Sequence, residues 1–202
     1  MAINQASEKQ LQELLLQMVE TELGGENVYR AALECAINPD LHSEWTDYLE
    51  ETIEHQRILS DLCAALGIDE NQESPGRMVV RHIGESLTQA VEMARMQAEP
   101  AAAQLVACEC IVFAETKDHM NWQLLTKYAE NATGETKRLL HAAVDAIEQE
   151  EAHHLYHTHG WCRELWLQSL GIPAVLPPPE EVKNVETAIG AARAELEREA
   201  ML

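Results

Sequence analysis

The chain has few basic residues, few aromatics and no long apolar run. Of its 202 residues, 14 are Lys or Arg against 35 Asp or Glu, a formal charge of −21. That imbalance argues against nucleic acid or an anionic membrane as partner, because polyanions repel it. No apolar stretch approaches the ~20 residues needed to cross a bilayer. Residues 1–10 carry no charged-then-apolar leader pattern. The expectation is a soluble, cytoplasmic protein with neither membrane nor nucleic acid as partner. There is a single Phe, no Asn-Gly or Asp-Gly turn, and no alternating run of β-branched residues, which argues against hairpins and sheets. The five cysteines (Cys35, Cys63, Cys108, Cys110 and Cys162) are odd in number and lack zinc-ribbon spacing. They read as free buried thiols in a reducing compartment.

What is present is helix-forming: Ala, Leu, Glu and Gln dominate. Apolar periodicity predicts helices over 7–37, 40–66, 77–98, 100–130 and 135–169, and a polar, charge-alternating helix is expected over 180–200. Pro39 and Pro100 sit where helices start and Gly67 where one stops. Gly24-Gly25 does not shift the periodicity. It reads as a close approach between helices or a local distortion within one. The predicted organisation is an all-α four-helix bundle over residues 1–170, with 67–99 as a helical crossover. A Pro-rich linker and a C-terminal helix follow over 171–202. The third core helix, about 100–130, is apolar nearly all round, so it is deeply buried or meets a second subunit, and a homodimer is expected.

Each core helix carries polar residues where its apolar stripe should continue. Glu22 interrupts the first. Glu51 and His55 flank the stripe of the second, while Glu54 points away from it. The third carries Glu115 and His119, and the fourth carries Glu151 and His154. Burying an unpaired carboxylate costs several kcal/mol or forces its protonation. Residues three or four apart share a helix face, so a Glu and a His on one helix can reach one ion. Carboxylates with imidazole suit iron and manganese. The candidate metal ligands are therefore Glu22, Glu51, His55, Glu115, Glu151 and His154. Glu150 with His153 is an alternative register on the fourth helix. His119 and Tyr29 are candidates for orienting a ligand from behind. The segments Glu51-Thr-Ile-Glu-His55 and Glu115-Thr-Lys-Asp-His119 echo each other weakly.

The order and spacing of helices over residues 7–169 resemble the ferritin-like superfamily, nearest to rubrerythrin-like and stress-induced ferritin-like proteins. Glu22 with Tyr29, Glu51-Thr-x-x-His55, Glu115 and Glu150-Glu151-Ala-His153-His154 carry the likeness. On the second helix Thr52 stands three before His55, so the pair is Glu-x-x-x-His instead of Glu-x-x-His. The resemblance implies a ferritin-like bundle holding two Fe (or Mn) ions per chain and the chemistry of an oxidoreductase or peroxidase on O₂ or peroxide. No Cys-x-x-Cys pair is available for a rubredoxin-type iron, so electrons come from a separate donor. The competing readings are iron storage or sequestration, a metal-free helical stress or interaction protein, and a helical enzyme using Cys108 or Cys110.

Overall fold

The computed structural model describes residues 5–202, with side chains described for 7–147 and 150–202. It is all-helical: among the described residues there is no strand. The long helices are α1 (Gln5–Leu33), α2 (Pro39–Leu66), α3 (Pro75–Gln97), α4 (Pro100–Asn131) and α5 (Gly134–Ser169). Their ends follow local chemistry. Asn38 caps α2 by accepting hydrogen bonds from the amides of Asp40 and Leu41, with Pro39 in the first turn. Gly67 ends it with φ 72°, a left-handed backbone that glycine adopts without penalty. Ser74 caps α3 through the Arg77 amide.

Helices α1, α2, α5 and α4 close into a ring in which each packs on its two neighbours, while α3 lies outside against α1 and α4. The expected crossover between the second and third core helices is thus a helix laid on the bundle's flank. Helix α1 runs unbroken through Gly24-Gly25. A Cβ on Gly24 would lie 3.3 Å from the Gly84 Cα of α3, so this glycine pair lets two backbones approach closely. Helix α4 is buried against three helices but leaves Phe113 (64% exposed), Met120 and Leu124 open to solvent.

The core is split into two apolar clusters. One holds Leu11, Leu15 and Met18 of α1, Leu59 and Leu62 of α2, Trp122 and Leu125 of α4, and Leu140 and Ile147 of α5. The other holds Val28 and Tyr29 of α1, Trp45 and Tyr48 of α2, Cys108 and Ile111 of α4, and Trp161 and Leu165 of α5. Every ring helix passes from one cluster to the other, and the polar interruptions fall at that crossing. The buried polar layer is therefore a single level of the bundle with hydrocarbon above and below it.

The C-terminal segment corrects one expectation. In place of one helix over 180–200 there are α6 (Pro179–Val182), α7 (Ala188–Glu197) and a closing 3₁₀ turn (Arg198–Met201). Asn184, at φ 50°, breaks the run, and Thr187 caps α7 by accepting from the Gly190 amide. An Asn tolerates the left-handed region and a β-region Thr starts a new helix, so the polar stretch divides at these two residues. The segment is anchored on α5. Arg163 reaches Glu180 at 2.7 and 2.9 Å, and Arg198 reaches the fully buried Glu164 at 2.7 and 3.0 Å.

Candidate metal centre

All four ring helices bring carboxylates or imidazoles to the middle layer. Glu22, His55, Glu115, Asp118, Glu151 and His154 are buried. Glu22, His55, Asp118 and Glu151 each offer a ligand-type atom, and these atoms lie within 4.8 Å of one another. His55 turns Nδ1 inward, 3.1 Å from Glu151 Oε1 and 3.6 Å from Glu22 Oε1. Its Nε2 turns outward to Glu150 Oε2 at 2.8 Å. His154 repeats the arrangement: Nδ1 lies 3.5 Å from Glu115 Oε2, and Nε2 meets Glu51 Oε2 at 2.7 Å. The two rings stack with centroids 5.6 Å apart. In both histidines an outer carboxylate holds one nitrogen and so aims the other at the centre, the arrangement that metal-ligating histidines use.

Two more side chains steady the carboxylates from behind. Tyr29 donates to Glu115 Oε1 at 2.7 Å, and Trp122 donates to Glu22 Oε1 at 3.1 Å. The inward atoms lack such partners: Glu22 Oε2, Glu115 Oε2, Asp118 Oδ1, both Glu151 oxygens and His55 Nδ1 are buried with no hydrogen bond. Orphaned polar atoms are rare in folded interiors and call for an explanation.

The electrostatics express the same conflict. Burial pushes the Glu151 carboxyl up to about 7, Glu22 adding to burial against the pull of the two histidines. Burial, with the charges of Glu151, Glu22 and Glu115, drives Asp118 well above the usual carboxylate range. Burial opposes a charge on His154 as well, but Glu115, Glu51 and Glu151 overcome it and raise the ring to about 10. Burial opposes a charge on His55 too, but the neighbouring carboxylates of Glu150, Glu151 and Glu22 outweigh it and raise the ring. Without a metal, the layer stays neutral only by taking up protons.

Measured against the sequence-based expectations, Glu22, His55, Glu115, Glu151 and His154 converge. Glu51 and Glu150 are partly exposed and stand on the outer nitrogens of His154 and His55, not among the inward-facing atoms. His153, offered with Glu150 as an alternative register, stacks on His157 with centroids 5.0 Å apart and faces Glu186. Tyr29 is the donor behind Glu115. His119 instead meets Gln123 at 2.9 Å and lies edge-on to Tyr156. The residue missed is Asp118. It lies three after Glu115, on the same face of α4, and that spacing was the available signal. The echo between the two Glu-Thr segments does not extend to orientation. On α2, His55 and Thr52 face in and Glu54 is exposed; on α4, Glu115 and Asp118 face in. Thr52 packs toward α1, where a Cβ on Gly25 would meet its methyl at 3.7 Å. The carboxylate absent at position 52 is matched by one from α4.

A cavity of about 630 Å³ opens beside Glu151, walled by Trp122, His119, Tyr156, Met120 and Thr187. The sequence had marked no such pocket. No helix among the described residues is long and apolar enough to cross a membrane. Comparison with protein-family models, curated proteins and solved structures gives no significant match. The fold and the site together define an all-helical protein with a buried carboxylate–histidine group able to hold metal.

Proposed function

We propose that the middle layer is a dinuclear centre for iron or manganese and that the protein is a non-haem oxidoreductase of ferritin-like architecture acting on O₂ or peroxide. The observation that carries this reading is charge. Four inward carboxylates (Glu22, Glu115, Asp118 and Glu151) share a buried layer with two imidazoles and form no salt bridge to Arg or Lys among the described residues. Two divalent ions balance four carboxylates with both histidines neutral, and the orphaned oxygens and inward nitrogens become ligands. Glu22, His55, Glu115, Asp118, Glu151 and His154 are the residues that would hold the ions. A bound pair of such ions supplies redox equivalents and Lewis acidity toward a small oxygen species.

The chain's own residues do the rest. Glu150 and Glu51 hold the histidine tautomers by accepting from the outer nitrogens. Tyr29 and Trp122 orient Glu115 and Glu22. The two apolar clusters keep bulk water from the layer, and the cavity beside Glu151 gives a small molecule access. The reading includes a separate electron donor and a homodimer, the latter supported by the exposed apolar side chains of Phe113, Met120 and Leu124 on α4. Light scattering that returns a monomer removes the dimer. A cysteine-based enzyme is disfavoured, since burial raises Cys110 to about 11 and Cys108 well above its ordinary value, away from the reactive thiolate.

Elemental analysis of chelator-free protein tests the centre. About two Fe or Mn per chain is expected for a site of this ligand count. A value near zero that stays near zero after anaerobic Fe(II) loading ends the reading. Given a loaded centre, reduction of peroxide or O₂ by an artificial electron donor then tests the activity.

A further inference from the structure

A second group of ligand-type atoms lies away from the middle layer, where α2, α5 and α6 meet. Glu44, His157 and Glu181 each offer one atom within 4.8 Å of the others. His157 is 5% exposed. Its Nε2 lies 3.2 Å from the Val185 carbonyl oxygen. A carbonyl only accepts, so Nε2 carries the ring proton. In the neutral ring Nδ1 is then a lone pair. It is aimed between Glu44 Oε1 at 3.5 Å and Glu181 Oε2 at 3.7 Å, with no hydrogen bond to either. That nitrogen and the two carboxylate oxygens face one another across a gap that a single cation would fill.

The carboxylates are held in place from behind. Trp161 Nε1 donates to Glu44 Oε2 and to Glu181 Oε2, both at 3.1 Å, tying the two acids together. Tyr48 donates to Glu44 Oε1 at 2.6 Å. No Arg or Lys salt bridge to Glu44 or Glu181 occurs among the described residues. One imidazole nitrogen fixed by a backbone carbonyl, with two oriented carboxylates, is a ligand set for a first-row divalent cation.

The group also opens on a cleft of about 380 Å³ whose wall includes Asp40, Asp47, Glu51 and Tyr48. Glu51 is hydrogen-bonded to His154, and the Tyr48 ring lies 4.2 Å, centroid to centroid, from the His154 ring. Two residues of the cleft wall, Glu51 and Tyr48, thus stand directly against His154. Negative walls of this kind raise the local concentration of cations.

We propose that Glu44, His157 and Glu181 form a separate site for one divalent first-row cation, on the wall of an acidic cleft bordered by Glu51. The site stands on its own residues and does not require the dinuclear reading. Mn²⁺ binding to the full chain, followed by loss of the free-ion EPR signal, tests it. Glu181→Gln is expected to remove one Mn²⁺ per chain or weaken that ion about tenfold or more. Glu44→Gln, which keeps an oxygen for Tyr48, should do the same. Circular dichroism melts of both variants establish that they fold. Glu151→Ala should retain the Glu181-dependent ion while losing those of the middle layer. Isotherms for Glu181→Gln and Glu44→Gln that superimpose on the parent overturn the proposal. A Glu151→Ala isotherm identical to the parent, with Glu181→Gln still losing an ion, counts against the dinuclear centre alone and upholds this site.

Discussion

Two regions bury carboxylates in this protein, and they treat them in opposite ways. At the C-terminal end of α5, Glu164 is fully buried and accepts from Arg198, from Arg163 at 2.9 Å and from the Val175 amide at 2.8 Å. Glu20 on α1 is handled similarly, by Arg77 at 2.7 Å and Arg81 at 3.0 Å. Burial tends to raise these carboxyls, but their partners outweigh it and hold both below the usual range. In the middle layer no guanidinium arrives: burial pushes Glu151 and Asp118 upward, and Glu115 is held down against burial only by His154, Tyr29 and His55. A buried carboxylate with its cation built into the chain is structural: it fastens α3 to α1, or the C-terminal segment to α5. One whose cation is absent from the chain must take up protons or an ion from outside.

The sharpest way to break this contrast is to remove one inward oxygen. Glu151→Ala or Glu22→Ala should abolish stoichiometric metal binding with helix content intact, read by elemental analysis and circular dichroism. Asp118→Ala should weaken the metal by about tenfold or more. Tight binding of two ions by Glu151→Ala or Glu22→Ala would show that the inward carboxylates are not ligands.

Next in size is the paired region. Arg198→Ala leaves Glu164 short of one buried cation and should cost about 3 kcal/mol in urea unfolding, with the metal count unchanged. A loss of metal in this variant would mean that the two regions are coupled.

The pH dependence of metal-free protein should separate the regions by sign. In the middle layer Glu151 is raised to about 7 and His154 to about 10. The folded state there binds more protons than the unfolded chain, so stability falls as pH rises from about 4 toward 10. For Glu20 and Glu164 the folded value is depressed, so their contribution is present above about pH 4 and lost below it. Thermal melts in chelator should show a maximum in mild acid, and Glu151→Gln should flatten the fall between about pH 4 and 7 while leaving the fall above it, which belongs to His154. An unchanged fall between about pH 4 and 7 in that variant removes Glu151 as its source. Metal loading should reverse the trend, since ligands bind metal in competition with protons.

The smallest expected effect is a control. Glu54 is exposed and paired with Arg57 on its own helix, so Glu54→Ala should leave metal stoichiometry at the parent value. A reduced count would place the site's boundary further out than the buried layer.

Much of this was legible in the residue order. Glu22, His55, Glu115, Glu151 and His154 betrayed themselves because each interrupts or borders a strongly apolar helical stripe. The helix boundaries at Pro39, Gly67 and Pro100 followed from backbone chemistry that acts within a few residues. Asp118 was obscured because the second Glu-Thr segment looked like a copy of the first, which drew the eye to His119 in place of the residue before it. Glu51 sat on the edge of its stripe, where spacing alone does not separate a ligand from the residue that braces one.

By itself the sequence determined that the chain is helical and at what level each helix turns polar, because propensity, capping and periodicity are local. Only the tertiary structure decided which polar atoms face the centre. That depends on how far each helix is rotated about its axis. One residue along a helix turns the side chain by about 100°, enough to exchange Asp118 for His119 or Glu151 for Glu150. The rotation is set by what packs on the other faces: Gly24 against Gly84, Thr52 against Gly25, and the two apolar clusters that close the bundle on either side of the layer.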